Sequence, residues 1–198
     1  MLPRRILIIT SLLIIFFSNI NKVYSIEPDI FVQSTVNRAA KTLGGNFTKE
    51  ERIEKLKEIA SDTVDIKGIG YYTLGSFRKD ISSEQIAKYE ILFEQYFLKS
   101  FSSRLAEYSN PEIEVISKKK INENYTMVSS ILVSTEKRPE VKIDWRIYTK
   151  NSENPKIRDL VIEGLSLART QKEEFSSIIQ SNDGDINALF STLKEFVK

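Results

Sequence analysis

"KYEILFEQYFLKSFSSRLAEYSNPEIEVISKKK" (Lys88–Lys120) contains the change of period on which the fold turns. On its N-terminal side Tyr89, Phe93, Tyr96, Phe97, Phe101, Leu105 and Tyr108 recur every three or four positions, which is the spacing of one helix face. Ser82, with Gln85 three residues on, opens that helix as a capping box, and Pro111 closes it. The spacing predicts a helix over 83–109, about 40 Å long, with one side almost wholly aromatic and aliphatic. Beyond Pro111 the period falls to two.

Four β-rich runs follow, separated by short polar turns: Glu112–Lys120, Asn124–Thr135, Val141–Thr149 and Lys156–Ser166. The third alternates most cleanly, with Val141, Ile143, Trp145 and Ile147 opposite Lys142, Asp144, Arg146 and Tyr148. Such runs predict a four-stranded antiparallel meander.

Upstream, "PDIFVQSTVNRAAKTL" (Pro28–Leu43) carries apolar residues at helical spacing and is stopped by Gly44 and Gly45. Thr48 and Glu51 form a second capping box for a helix whose Ile53, Leu56, Ile59 and Ala60 share a face. Val64–Asp80 reads as a short helix closed by Gly75. Two further helices, about 170–180 and 185–197, end the chain. Helices, a meander, then helices again describe an α+β domain: a curved four-stranded antiparallel sheet with helices packed on its concave face, enclosing an apolar pocket.

Arg4 and Arg5 precede an unbroken apolar run, Ile6–Phe17, and Val23 and Ser25 suit the −3 and −1 positions of a signal peptidase site. This predicts a cleaved leader over residues 1–25 and a single domain over 26–198, with a helical part at 26–110, the sheet at 111–167 and C-terminal helices at 168–198. The rival reading is an uncleaved anchor, but the run falls short of the roughly 20 residues a spanning helix needs. Losing the leader removes Arg4, Arg5 and Lys22 and no acid, so the net charge of +2 becomes −1. A nucleic-acid partner, which calls for a strong basic excess, is therefore not expected.

Cysteine and histidine are both absent. That excludes disulfides, Cys/His zinc sites, cysteine or Ser–His nucleophile systems and an imidazole acid or base. Two carboxylates, Asp159 and Glu163, interrupt the fourth apolar run and stand as the candidates for an envelope hydrolase. On one strand they would share a face about 13 Å apart, at about 3.3 Å per residue. Retaining glycosidases hold their carboxylates about 5 Å apart and inverting ones under about 10 Å. That mis-spacing favours the structural alternative, in which the acids cap backbone or pair with Arg78, Arg146 or Lys172, Gly164 permits a tight turn and Ser166 forms a local cap.

"YYTLGSFRKDISSEQIAKYEILFEQYFLKSFSSRLAEY" (Tyr71–Tyr108), followed by "DLVIEGLSLARTQKEEF" (Asp159–Phe175), resembles the MlaC family of periplasmic phospholipid-binding proteins, also called the toluene-tolerance auxiliary family. The matching parts are Leu74-Gly75, Arg78, the Gln85–Phe97 helix with Tyr96, and Asp159 with Glu163, Gly164 and Ser166. The resemblance implies a monomeric, non-enzymatic periplasmic carrier that needs no cofactor. Its cargo is a glycerophospholipid, held by its acyl tails with the head group outside. It also implies two partners: an outer-membrane lipoprotein–porin complex, and an inner-membrane Mla-type ABC transporter complex with an MCE-domain protein, the traffic between them maintaining outer-membrane lipid asymmetry.

Composition alone makes an aromatic stripe ordinary core; the resemblance makes it a pocket wall. The residues expected to line it are Leu74, Phe77, Phe93, Phe97, Phe101, Val128, Ile143, Trp145, Val161 and Leu165. A monomeric lipid in water exposes methylenes at a cost of about 0.8 kcal/mol each, so a carrier has to supply an apolar interior.

Overall fold

In the computed structural model, which describes residues 25–108, 111–136 and 138–198, the sheet follows directly from the two-residue period. Strand β2 (Tyr125–Leu132) buries Thr126, Val128, Ser130 and Leu132 in strict alternation, and β3 (Val141–Tyr148) buries Ile143, Trp145 and Ile147. Their antiparallel register sets Val128 opposite Trp145 and Ser130 opposite Ile143, so the apolar sets fall on one face. Strand β1 (Ile113–Asn122) pairs with β2 at the exposed edge, and β4 (Lys156–Ile162) pairs with β3 on the other side. The leader predicted at the N-terminus lies, apart from Ser25, outside the described residues.

The expected fourth strand does not run through to Ser166. It ends at Ile162, because Glu163 and Gly164 both take positive φ, 48° and 83°. Two successive residues in that region make the primed turn that suits the twist of a hairpin, and the chain folds back. The two-residue strand β5 (Leu165–Ser166) then pairs with Ile162 and Val161. The sheet therefore has five strands in the order β1-β2-β3-β4-β5, not four.

Among the described residues six helices accompany it: α1 (Pro28–Gly44), α2 (Lys49–Thr63), α3 (Ile66–Leu74), α4 (Ser83–Leu105), α5 (Leu167–Gln180) and α6 (Ile186–Val197). The two expected capping boxes are formed, Thr48 with Glu51 and Ser82 with Gln85, each satisfying two backbone N–H groups at a helix start. Gly75 closes α3 at φ +60°, a conformation that costs a residue with a Cβ, and a 3₁₀ turn (Gly75–Lys79) follows. Helix α4 stops at Leu105, four residues before the expected end. Its last apolar members explain this: Leu105 and Ala106 pack with Leu43 and Leu56 of α1 and α2, whereas Tyr108 is exposed.

Most buried apolar residues form one cluster that joins the inner face of β2–β4 to α1, α3, α4, α5 and α6. Trp145, Ile147, Val128 and Ile157 supply its sheet side; Tyr89, Phe93, Phe175, Phe190 and Leu189 supply its helical side. Among the described residues no helix is long and apolar enough to cross a membrane.

Candidate functional site: an apolar interior in two chambers

The interior is not packed solid. Between α4, α5 and strands β3 and β4 lies a hollow of about 220 Å³. A second of about 190 Å³ lies between α1, α2, the end of α4 and β2–β4. Val64, Phe101, Trp145, Ile157 and Leu160 belong to the walls of both, so these five residues stand where the two chambers adjoin, at the narrow neck of the interior. Known small-molecule pockets run from about 300 to 1,000 Å³. Neither chamber reaches that range alone, and an occupant with long hydrocarbon chains has to use both.

The first chamber takes its helical wall from the aromatic stripe of α4. Phe93 and Phe97 have ring centroids 6.1 Å apart, and Phe97 stacks on Phe101 at 5.6 Å with planes 9° apart. Phe175 of α5 meets Phe93 edge-on at 6.2 Å. In the same wall, the Tyr96 hydroxyl donates to Gln171 Oε1 at 2.8 Å, bridging α4 to α5. Burial pushes the Tyr96 hydroxyl above its ordinary pKa, so it stays a neutral donor.

On the sheet side the neck is fixed by a polar contact. The indole N–H of Trp145 donates to Ser130 Oγ at 2.8 Å across β2 and β3, and both residues are buried. An indole kept in an apolar wall needs such an acceptor, and Ser130 on the neighbouring strand supplies it.

Of the ten residues expected to line a pocket, Phe93, Phe97, Phe101, Ile143 and Trp145 meet at these chambers. Leu74 and Val128 are fully buried in the core beside them, and Phe77 packs on its flank. Val161 pairs with Asp144, so it shares that residue's face of the sheet and points away from Trp145. Leu165, on the returning strand, is 59% exposed. Leu160, which precedes Val161 and lies opposite Trp145 in register, lines both chambers instead. A bulge explains the displacement: Arg146 faces Asp159 while Ile147 faces Ile157, leaving Arg158 as the extra residue of β4. Strict alternation counted from Ile157 therefore picks the wrong member of the Leu160–Val161 pair.

The two acids occupy different places from those of a shared strand face. Asp159 is buried and accepts from Ser166 Oγ at 2.6 Å and from the Ala168 N–H at 3.0 Å, with an Arg146 amino group 3.7 Å away. Ser166 Oγ in turn accepts from the Arg169 N–H at 3.1 Å as the N-cap of α5. Glu163 lies at the exposed hairpin turn, where its side chain accepts from the Lys142 N–H. Asp159 thus fastens the hairpin to the start of α5, and Glu163 fastens the turn to β3. Arg146, Gly164 and Ser166 take the roles that the structural reading of these acids assigned to them. Lys67 and Tyr71 make a comparable fastening elsewhere, both bound to Glu90 across α3 and α4. Among the described residues no group of His, Cys, Asp or Glu side chains could hold a metal ion.

Residues 32–195 match the family model described as MlaC protein. In three dimensions the chain is similar to a phospholipid-binding protein from Ralstonia solanacearum solved in complex with a phospholipid, with a TM-score of 0.73 and 20% sequence identity. The alignment covers 87% of this chain and 97% of that one. At that identity the likeness is one of fold.

Proposed function

The chain belongs to the MlaC family, and from that premise we propose that it binds a phospholipid and carries it as a soluble periplasmic protein between the outer and inner membranes. The observation that carries the reading is the pair of adjoining apolar chambers joined at Phe101, Trp145 and Leu160. The likeness in fold to the Ralstonia solanacearum phospholipid-binding protein supports the same cargo.

Acyl tails account for what the chambers offer. Their walls are mainly aromatic and aliphatic, and each methylene moved into them from water contributes about 0.8 kcal/mol. A tail occupying both chambers has to pass the neck, which Phe101 guards from α4 and Trp145 from β3. In this reading residues 1–25 are a leader, and residues 26–198 form the single lipid-binding domain. The partners are an outer-membrane lipoprotein–porin complex and an inner-membrane ABC transporter complex with an MCE-domain protein. No catalytic step is included, since Asp159 and Glu163 are both taken up by contacts that hold the hairpin.

Native mass spectrometry of the protein isolated from the periplasm tests the reading. A mass increment that organic extraction identifies as a glycerophospholipid is expected. A protein uniformly free of lipid, and unable to acquire it from vesicles, would overturn it.

A further inference from the structure

Every residue lining the chamber between α1, α2 and the sheet is uncharged except Arg138. The threonine hydroxyls in that wall are already used: Thr35 donates to the Phe31 carbonyl at 2.9 Å and Thr63 to the Ile59 carbonyl at 2.7 Å. Arg138 differs. Its backbone is pinned in the β2–β3 connection by paired hydrogen bonds with Thr135, of 2.8 and 3.1 Å. Its guanidinium lies 5.8 Å from the Tyr108 ring centroid and gives one N–H to the Val133 carbonyl at 3.0 Å. The Nε–H is buried without an acceptor among the described residues. No carboxylate there lies within ion-pair distance of Arg138.

A cation with unspent donors at the rim of an otherwise uncharged cavity is costly unless an anion arrives to use them. A guanidinium suits a phosphate because its fixed fork of N–H groups meets two oxygens at once. The other chamber has no such bias, since Arg104 shares its wall with Asp159 and Glu174. We propose that Arg138 recognises the phosphate of the bound lipid, so that the head group sits at the Tyr108–Arg138 end and the tails run inward past Phe101 and Trp145. This rests on the phospholipid reading above and adds the lipid's orientation and the chemical group that selects it.

The test compares two lipids that share tails and differ in the phosphate. The delipidated wild-type protein, Arg138→Met and Arg138→Lys are each loaded from dispersions of phosphatidylglycerol or of diacylglycerol, and occupancy is read by native mass spectrometry. Arg138→Met is expected to bind phosphatidylglycerol about ten- to a hundredfold more weakly, the loss of a charge-assisted contact, while diacylglycerol loading is unchanged. Arg138→Lys, which keeps the charge without the fork, is expected to fall between, and it carries the comparison should the methionine variant fail to fold. Equal losses for both lipids with an intact circular dichroism spectrum would make Arg138 a mere wall residue and overturn the proposal. Unchanged phosphatidylglycerol loading in both variants would overturn it too. Excess glycerol phosphate should leave the wild-type lipid in place; its displacement would assign the site to free phosphate esters instead. A wild-type protein that takes up neither lipid defeats the carrier reading itself, an outcome distinct from a failure of Arg138 to discriminate.

Discussion

Asp159 and Ser166, seven residues apart in the chain, are joined by a 2.6 Å hydrogen bond because the Glu163–Gly164 turn folds β5 back along β4. The same carboxylate caps Ala168 and faces Arg146, so one buried acid ties the hairpin, the start of α5 and β3 together. Asp159→Ala leaves a hydroxyl, an N–H and a guanidinium without their acceptor. A destabilisation of about 2–4 kcal/mol is expected. In a domain of this size that lowers Tm by about 5–15 °C in a thermal melt. Lipid occupancy at low temperature should stay near that of the wild type, and loss of binding in a folded variant would give Asp159 a direct part in the site.

This cluster also marks what the sequence could and could not say. Period and caps are enough for the helices and for β2 and β3, because each of those elements buries one face and the pattern repeats over several turns or pleats; β1, an edge strand with no fully buried residue, is marked by its β-rich composition after Pro111. At β4 two local events intervene within a few residues: the bulge at Arg158 and the turn at Glu163–Gly164. Gly164 was legible as a turn residue, but nothing in the composition marked Glu163 as the second positive-φ position. Plain alternation from Ile157 therefore points to Val161, whereas the bulge sets Leu160 on the Trp145 face. The α1 and α2 walls of the second chamber were written as helical faces, Val36 and Ala39 with Leu56 and Ile59, yet a face that bounds a cavity has the same pattern as one that fills a core. Only the three-dimensional arrangement separates the two.

Trp145 is the only tryptophan in the chain and sits in the neck, so its fluorescence reports on that place alone. Removal of lipid is expected to shift its emission, and reloading to reverse the shift. Ser130→Ala takes away the acceptor of the indole N–H and should cost about 1–3 kcal/mol. Emission that is indifferent to lipid in both proteins would place the tails elsewhere.

Leu160 and Val161 form a matched pair for testing which face matters. Leu160→Trp puts a large ring into the neck and is expected to cut lipid loading severalfold, read by native mass spectrometry, while the circular dichroism spectrum persists. Val161→Trp, on the Asp144 side of the sheet, should load like the wild type. The reverse pattern would show that tails bind the opposite face.

Glu90 gives a pH signature. The Tyr71 hydroxyl, and after it the Lys67 ammonium, hold its carboxyl below the ordinary value of 4.5. A depressed folded-state pKa means that the contribution is complete above about 4.5 and is lost as pH falls through the lower, folded value. Urea midpoints should therefore decline on acidification from pH 5 downward. In Glu90→Gln that part of the decline disappears, with a lower plateau at neutral pH. Parallel curves for the two proteins would contradict this.

Gly70 connects packing to the chamber. A Cβ at this position would lie 2.8 Å from Phe93 Cδ1, closer than real Cβ contacts come, and a tight 3.3 Å from Cε1. Phe93 is 2% exposed and held by Tyr89, Phe97 and Phe175, so its ring has little room to swing away without entering the first chamber. Gly70→Ala is expected to cost about 1–3 kcal/mol of stability through overpacking. Because Phe93 belongs to the chamber wall, lipid loading should fall with it. Phe93→Leu removes the ring that the new methyl meets, so the two changes should not add: the double variant is expected to be more stable than the sum of the single losses allows. Strict additivity in denaturant titrations would show that the methyl is accommodated by a movement of α3, and that Gly70 has no hold over the chamber.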